Sequence, residues 1–267
     1  LHLKGAIVNM INNESGTGKT TAIKAMHSVY GHPEELMLIE RDTMNVRLHR
    51  LGVMNNLGLG CDEITKMKPD ECSDFCYAVS QGRGRGRMKS SENAERKNMA
   101  KWQTILLCSS NASIVDKLKS LKSTPDGELM RVIEYQIPET KLISKEEADE
   151  LYPKLYTNYG HAGPIYIRDL VENLEERILE VKEIQRLIDK KIGFTGRERF
   201  WSGVAACNIA GALFARRLGI HNIDVGRVLK WAISEFNQMR TEIKPPATTH
   251  SSVIGEDRKS TRLNSSH

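Results

Sequence analysis

One lysine, one threonine hydroxyl and two carboxylates stand out as a set that can act on phosphates. The lysine and threonine lie in the run Asn13-Glu14-Ser15-Gly16-Thr17-Gly18-Lys19-Thr20-Thr21, directly after the apolar stretch Ile7 to Ile11. A strand, a glycine-rich turn and a helix opening on Lys-Thr-Thr form the layout of a phosphate-binding P-loop. In it, backbone N–H groups of Ser15 to Thr21 face the phosphates, Lys19 reaches the terminal ones, and the Thr20 hydroxyl holds Mg²⁺. The first glycine of the G-x-x-x-x-G-K-[ST] pattern is Asn13 here, a residue that tolerates a left-handed backbone better than most. The two carboxylates, Asp62 and Glu63, close the apolar run Leu57-Gly58-Leu59-Gly60-Cys61. A strand ending in Asp-Glu after a P-loop has the form of a Walker B motif, with Asp62 on Mg²⁺ and Glu63 polarising the attacking water.

Further polar residues extend this set. Asn111 follows the apolar run Trp102 to Cys108, either as a sensor of the γ-phosphate or as a cap for the helix beginning near Ala112. Gly82-Arg83-Gly84-Arg85-Gly86-Arg87 is a basic cluster that the modest net charge of +5 conceals. Arg83, Arg85 and Arg87 suit contacts with nucleic-acid phosphates or with a neighbour's nucleotide, and a solvated linker is the other reading. Arg131, close to Glu128, is a candidate arginine finger acting in trans, or one half of a surface ion pair. His161, in Gly160-His161-Ala162-Gly163, reads as a turn residue or as a contact between the two parts of the chain. The five cysteines form no C-x-x-C pair and read as reduced core residues of an intracellular, cytoplasmic protein; Cys72 and Cys76 alone have metal-ligand spacing.

The elements that must position these residues alternate along the chain. Strands are expected at Ile7 to Ile11, Leu36 to Ile39, Leu57 to Cys61, Trp102 to Cys108 and Met130 to Ile137, with helices between them. That alternation predicts a five-stranded parallel sheet with helices on both faces. The chain order further suggests an ATPase in which one strand is inserted between the two nucleotide motifs. From the capping box Ser144-Lys145-Glu146-Glu147 onward everything reads helical, including one long charged helix from about Ile165 to Ile188. The expected division is a P-loop core over 1–141, a helical domain over 142–244 and a linker over 245–256. Residues 257–267 (DRKSTRLNSSH) are expected to be the translation of a sequencing adapter, and the start at Leu1 a truncated N-terminus. With 39% hydrophobic and 27% charged residues the chain has the balance of a globular domain, and it contains no apolar run long enough to span a membrane.

With these motifs in view, the chain resembles domain-of-unknown-function family 927. The resemblance rests on Ser15 to Thr21, Cys61-Asp62-Glu63, Gly82 to Arg87 and Trp102-Gln103-Thr104. It continues in Asn158-Tyr159-Gly160-His161-Ala162-Gly163 and Glu198-Arg199-Phe200-Trp201. It implies a helicase-like ATPase of phages and mobile elements, with a RecA/AAA+-like P-loop core, often joined to primase regions. ATP and Mg²⁺ would be the cofactors, and DNA, single-stranded by expectation, the partner of a homo-oligomeric ring. The alternative is an ATP-switched DNA-binding or loader module without unwinding activity.

Overall fold

The computed structural model describes residues 3–84, 86, 100–121, 126–138 and 144–243. Four strands form one parallel sheet: β1 (Gly5–Ile11), β2 (Leu59–Cys61), β3 (Thr104–Ser110) and β4 (Val132–Gln136), in the order β2-β3-β1-β4. Strand β3 therefore lies between β1, which runs into the glycine loop, and β2, which ends on Asp62. This is the inserted strand that the chain order led one to expect.

The fifth expected strand, Leu36 to Ile39, does not form. It is reduced to a single parallel bridge, in which the Leu38 N–H donates to Gly60 O and the Asp62 N–H to Leu38 O, both at 2.9 Å. Leu36 and Ile39 are exposed, and Met37, though buried like Leu38, turns its N–H to Glu34 O and its carbonyl to Arg50, so Leu38 alone bridges to the sheet. Arg47, itself buried, takes the carbonyls of Ile39, Glu40 and Asp42, which turns the chain away at that point.

Side chains alternate between the two faces of the sheet, as strand geometry requires. Ile7, Leu59, Leu106 and Val132 face one core, covered by α2 (Met44–Met54), α3 (Pro69–Gln81) and α4 (Ile114–Lys119). Ala6, Val8, Ile105, Leu107 and Ile133 face the other. There α8 (Leu174–Ile192), α9 (Arg199–Arg217) and α10 (Val225–Ile243) close over them with Trp201, Val204, Ala205 and Phe236. The sheet and the C-terminal helices thus share one apolar cluster across the expected division near residue 141, which itself lies outside the described residues.

Side-chain caps fix the starts of three helices. Thr43 caps α2 by accepting the Val46 N–H, and Ser113 caps α4 by accepting that of Asp116. Ser144 and Glu147 form the expected capping box of α6 (Lys145–Thr157). The long charged helix is divided at Asn173 into α7 (Ala162–Glu172) and α8, and the Arg177 guanidinium returns to Asp169 across the break at 2.9 Å. A four-residue helix, α5 (Asp126–Leu129), precedes β4. Among the described residues no helix is long and apolar enough to cross a membrane.

Candidate active site

The glycine loop joins β1 to α1 (Lys19–Ser28). Its left-handed residues are Gly16 (φ 76°) and Gly18 (φ 85°), and neither has an atom within 4 Å of where a Cβ would stand. Asn13 does not use a positive φ, so the loop closes without a glycine at its first motif position. Asn12 anchors the turn instead: its side chain accepts the Glu14 N–H at 2.7 Å and donates to Ile137 O at 2.8 Å. No spacing rule marked Asn12, whose role depends on β4 lying beside it. Ser15 and Gly16 are exposed, and Thr17 contributes its hydroxyl to Lys19 at 3.3 Å.

Lys19 is buried, and its ammonium donates to Asn12 O at 2.8 Å, Glu14 O at 3.0 Å and Asn111 Oδ1 at 3.1 Å. The other side of the Asn111 amide donates to Glu63 Oε1 at 2.9 Å. Asn111 therefore joins the loop lysine to the Glu63 carboxylate, while the cap of α4 is Ser113. The register explains the convergence. Cys61 pairs with Cys108, so the next residues, Asp62 and Ser109, are neighbours, and Ser110 pairs with Ile11 just before the loop.

Asp62 Oδ1 accepts the Thr20 hydroxyl at 3.1 Å and also the Ser109 hydroxyl. Glu63 sits at φ 53°, a left-handed backbone that a non-glycine residue adopts only when its surroundings hold it. Its N–H donates to Ser109 Oγ at 3.3 Å. Ser109, which carried no motif signal, thus orients both carboxylate residues.

Beneath this site His27 ties α1 to β2. Its Nε2 accepts the Gly60 N–H at 2.8 Å, and its Nδ1 lies 3.2 Å from Pro33 O, which it can satisfy only as a donor. Both contacts are met by the neutral ring, and burial holds the His27 pKa below its ordinary value of 6.5. In the unfolded chain the imidazole takes a proton first as pH falls. Stability is therefore expected to drop as pH is lowered through 6.5, by no more than about 1.4 kcal/mol per pH unit from this group. Urea unfolding between pH 8 and 5 checks this, and a His27→Gln variant should flatten that part of the profile.

A neighbouring buried network firms the same end of the sheet. Asn9 Nδ2 donates to Ser110 Oγ and Glu134 Oε2, both at 2.8 Å, and burial raises the Glu134 pKa.

The arrangement fits a Mg-nucleotide. Thr20 and Asp62 place a hydroxyl and a carboxylate side by side, which suits an ion that takes few protein ligands and completes its shell with phosphate oxygens and water. Among the described residues no three His, Cys, Asp or Glu side chains gather as a separate metal centre; Cys72 and Cys76 are buried in the core.

Arg131 and Arg83 are not brought to this site. Arg131 directly precedes β4, and Arg83 is bridged to Lys101 just before β3, so both stand at the N-terminal edge of the sheet, a strand's length (~15 Å or more) from the loop. The Arg131 guanidinium donates to Ser80 Oγ at 2.8 Å and to Gly127 O, and lies over the rings of Tyr77 and Phe200. Within its own chain the guanidinium is thus held against α3 and α9. Arg83 pairs with Lys101 in an antiparallel bridge at the foot of the Gly-Arg segment and is exposed. Arg85 and Arg87 lie outside the described residues.

Two motifs of the resemblance outside the site have structural roles. Glu198 accepts Arg240 at 2.6 Å and the Thr195 N–H at 2.8 Å, and Arg240 holds its carboxyl down to about 2. Around His161, the Gly160 and Gly163 N–H groups donate to Ser28 O and Val29 O, both at 2.8 Å; a Cβ on Gly163 would meet Val29 O at 2.6 Å. The His161 side chain is exposed and makes no cap bond.

Among solved structures the fold is similar to a chain described as "SCCmec type IV Cch - active helicase", with a TM-score of 0.74 and 21% sequence identity. The similarity covers 91% of this chain and 44% of that one, so the present chain spans less than half the length of the protein it resembles. No curated protein matches the sequence. Residues 1–101, which hold the glycine loop, Asp62-Glu63 and the Gly-Arg segment, match the model of DUF927, a domain of unknown function, so over this part the chain is similar to the family its motifs pointed to.

Proposed function

We propose that the chain is a Mg²⁺-dependent ATPase whose turnover is coupled to DNA, acting as a helicase-like motor in a homo-oligomeric ring. The observation that carries this reading is the meeting of Lys19, Thr20, Asp62, Glu63 and Asn111, drawn from three separate segments, at the C-terminal ends of adjacent parallel strands. In open α/β sheets this is where ligands bind. A bound Mg²⁺ would neutralise phosphate charge and screen the leaving group. Lys19 and the loop amides would hold the phosphates, Thr20 and Asp62 the ion, and Glu63 would accept a proton from the attacking water. Asn111 would keep the Glu63 carboxylate and the Lys19 ammonium in a common orientation.

The DNA part of the proposal rests on Arg83, Arg85 and Arg87 and on the fold shared with a protein described as an active helicase. The test is steady-state ATP hydrolysis with and without single-stranded DNA, using Lys19→Ala as the control. The expected result is turnover that DNA stimulates and Lys19→Ala abolishes. Replacing the three arginines by alanine should weaken DNA binding and flatten its salt dependence, because each lost phosphate contact releases fewer counterions. Turnover without strand displacement would favour the loader alternative. Absence of nucleotide binding would overturn the reading.

A further inference from the structure

Helix α6 runs beside α1 in the same direction. Tyr152 OH is 2.6 Å from Thr21 Oγ1, Lys24 Nζ donates to Tyr156 OH at 3.0 Å, and the Gly160 N–H donates to Ser28 O at 2.8 Å. The two segments keep step, one turn for one turn. Helix α1 begins two residues before Thr21, whereas α6 begins seven before Tyr152. The first turns of α6 therefore overhang the glycine loop by about 7 Å, at 1.5 Å per residue. Ala148, Leu151 and Tyr152 share one stripe of that overhang by their i, i+3, i+4 spacing.

The sheet order says which end of a nucleotide faces this overhang, given the phosphate site proposed above. Asp62, Glu63 and Asn111 come from β2 and β3 on one side of β1, so the terminal phosphate points that way. The remaining phosphates then lead away from those strands past Thr21, whose hydroxyl lies 2.6 Å from Tyr152 OH on α6. We propose that the nucleoside of the bound nucleotide lies against the first turns of α6, with the Tyr152 ring as its platform and Ala148 and Leu151 beside it. Tyr152 is half-buried and Leu151 36% exposed, so both offer surface to a ligand. Lys24, 5.5 Å from the Tyr152 ring centroid, is held by Glu34 at 2.6 Å and fixes the tyrosine from the α1 side.

The test compares three probes on the whole chain: MgATP, MgADP and magnesium tripolyphosphate, which carries the phosphates without the nucleoside. Calorimetric titration of Tyr152→Ala should show ATP and ADP binding weakened about tenfold or more, the scale of a lost aromatic–base contact. Tripolyphosphate binding should stay within about twofold, which also reports that the loop is intact. Tyr152→Phe should bind all three probes nearly as the parent does. Equal weakening toward all three probes would overturn the proposal, since Tyr152 would then only support α1. Unchanged binding of all three would overturn it by placing the nucleoside elsewhere. If the unaltered chain bound tripolyphosphate but gained nothing from the nucleoside, this proposal alone would fall; if it bound none of the probes, the phosphate site itself would fall with it.

Discussion

Glu63→Gln is expected to lower ATP turnover by about 10²–10⁴-fold, the range for loss of a general base, with ATP affinity changed by less than about threefold. The substitution keeps the shape of the side chain and can keep the contact with the Asn111 amide. It removes only the ability to accept a proton. Binding should persist because the groups proposed to hold phosphates and ion, Lys19, Thr20, Asp62 and the loop amides, are untouched. Glu63 is well placed for a specific role: its left-handed backbone is held by the Ser109 hydroxyl, and its carboxylate by Asn111 at 2.9 Å. Single-turnover hydrolysis alongside equilibrium binding separates the two effects. Turnover within a few-fold of the parent would mean that water is activated by another group, and Glu63 would lose its assigned part.

Arg47→Ala is expected to destabilise the fold by about 2–4 kcal/mol, from lost hydrogen bonds and core packing together. Arg47 is 2% exposed and donates to Asp42 O at 3.0 Å, Ile39 O at 2.9 Å and Glu40 O at 3.1 Å, and to Cys61 Sγ at 3.3 Å. Its guanidinium also lies over the Phe75 ring. Removing it takes the guanidinium donor from the Glu40 and Asp42 carbonyls, leaves Ile39 O with the Asp42 N–H, and opens space in the core beside the strand that leads to Asp62. Urea unfolding at constant pH measures the loss. A change under about 1 kcal/mol would show that water replaces the guanidinium without penalty. If the fold survives at low temperature, nucleotide affinity should fall as well, because the Leu38 bridge flanking Asp62 would lose its support.

Short-range backbone physics accounts for the features that were legible along the chain. The glycine loop's motif is contiguous, with Gly16 and Gly18 supplying left-handed backbone, although its anchoring by Asn12 depends on Ile137 beyond β4. The Asp-Glu pair needs only a strand to end, and the α6 capping box only four neighbouring residues. The alternation of strands and helices was enough for a parallel sheet covered on both faces. The tertiary structure decided everything that depends on which groups meet. Leu36 to Ile39 has the composition of a strand, yet Arg50 takes the Met37 carbonyl and Arg47 those of Ile39 and Glu40, so one bridge forms and the sheet has four strands. Arg131 reads the same in sequence whatever surrounds it; in the fold its guanidinium meets Ser80, Gly127, Tyr77 and Phe200. Arg47 gave no signal, because a buried arginine is made possible by carbonyls that only the folded chain brings together. Asn111 had two readings until Ser113 took the cap. Its place between Lys19 and Glu63 then followed from strand register, a long-range property that sets chemistry in place and that no local window contains.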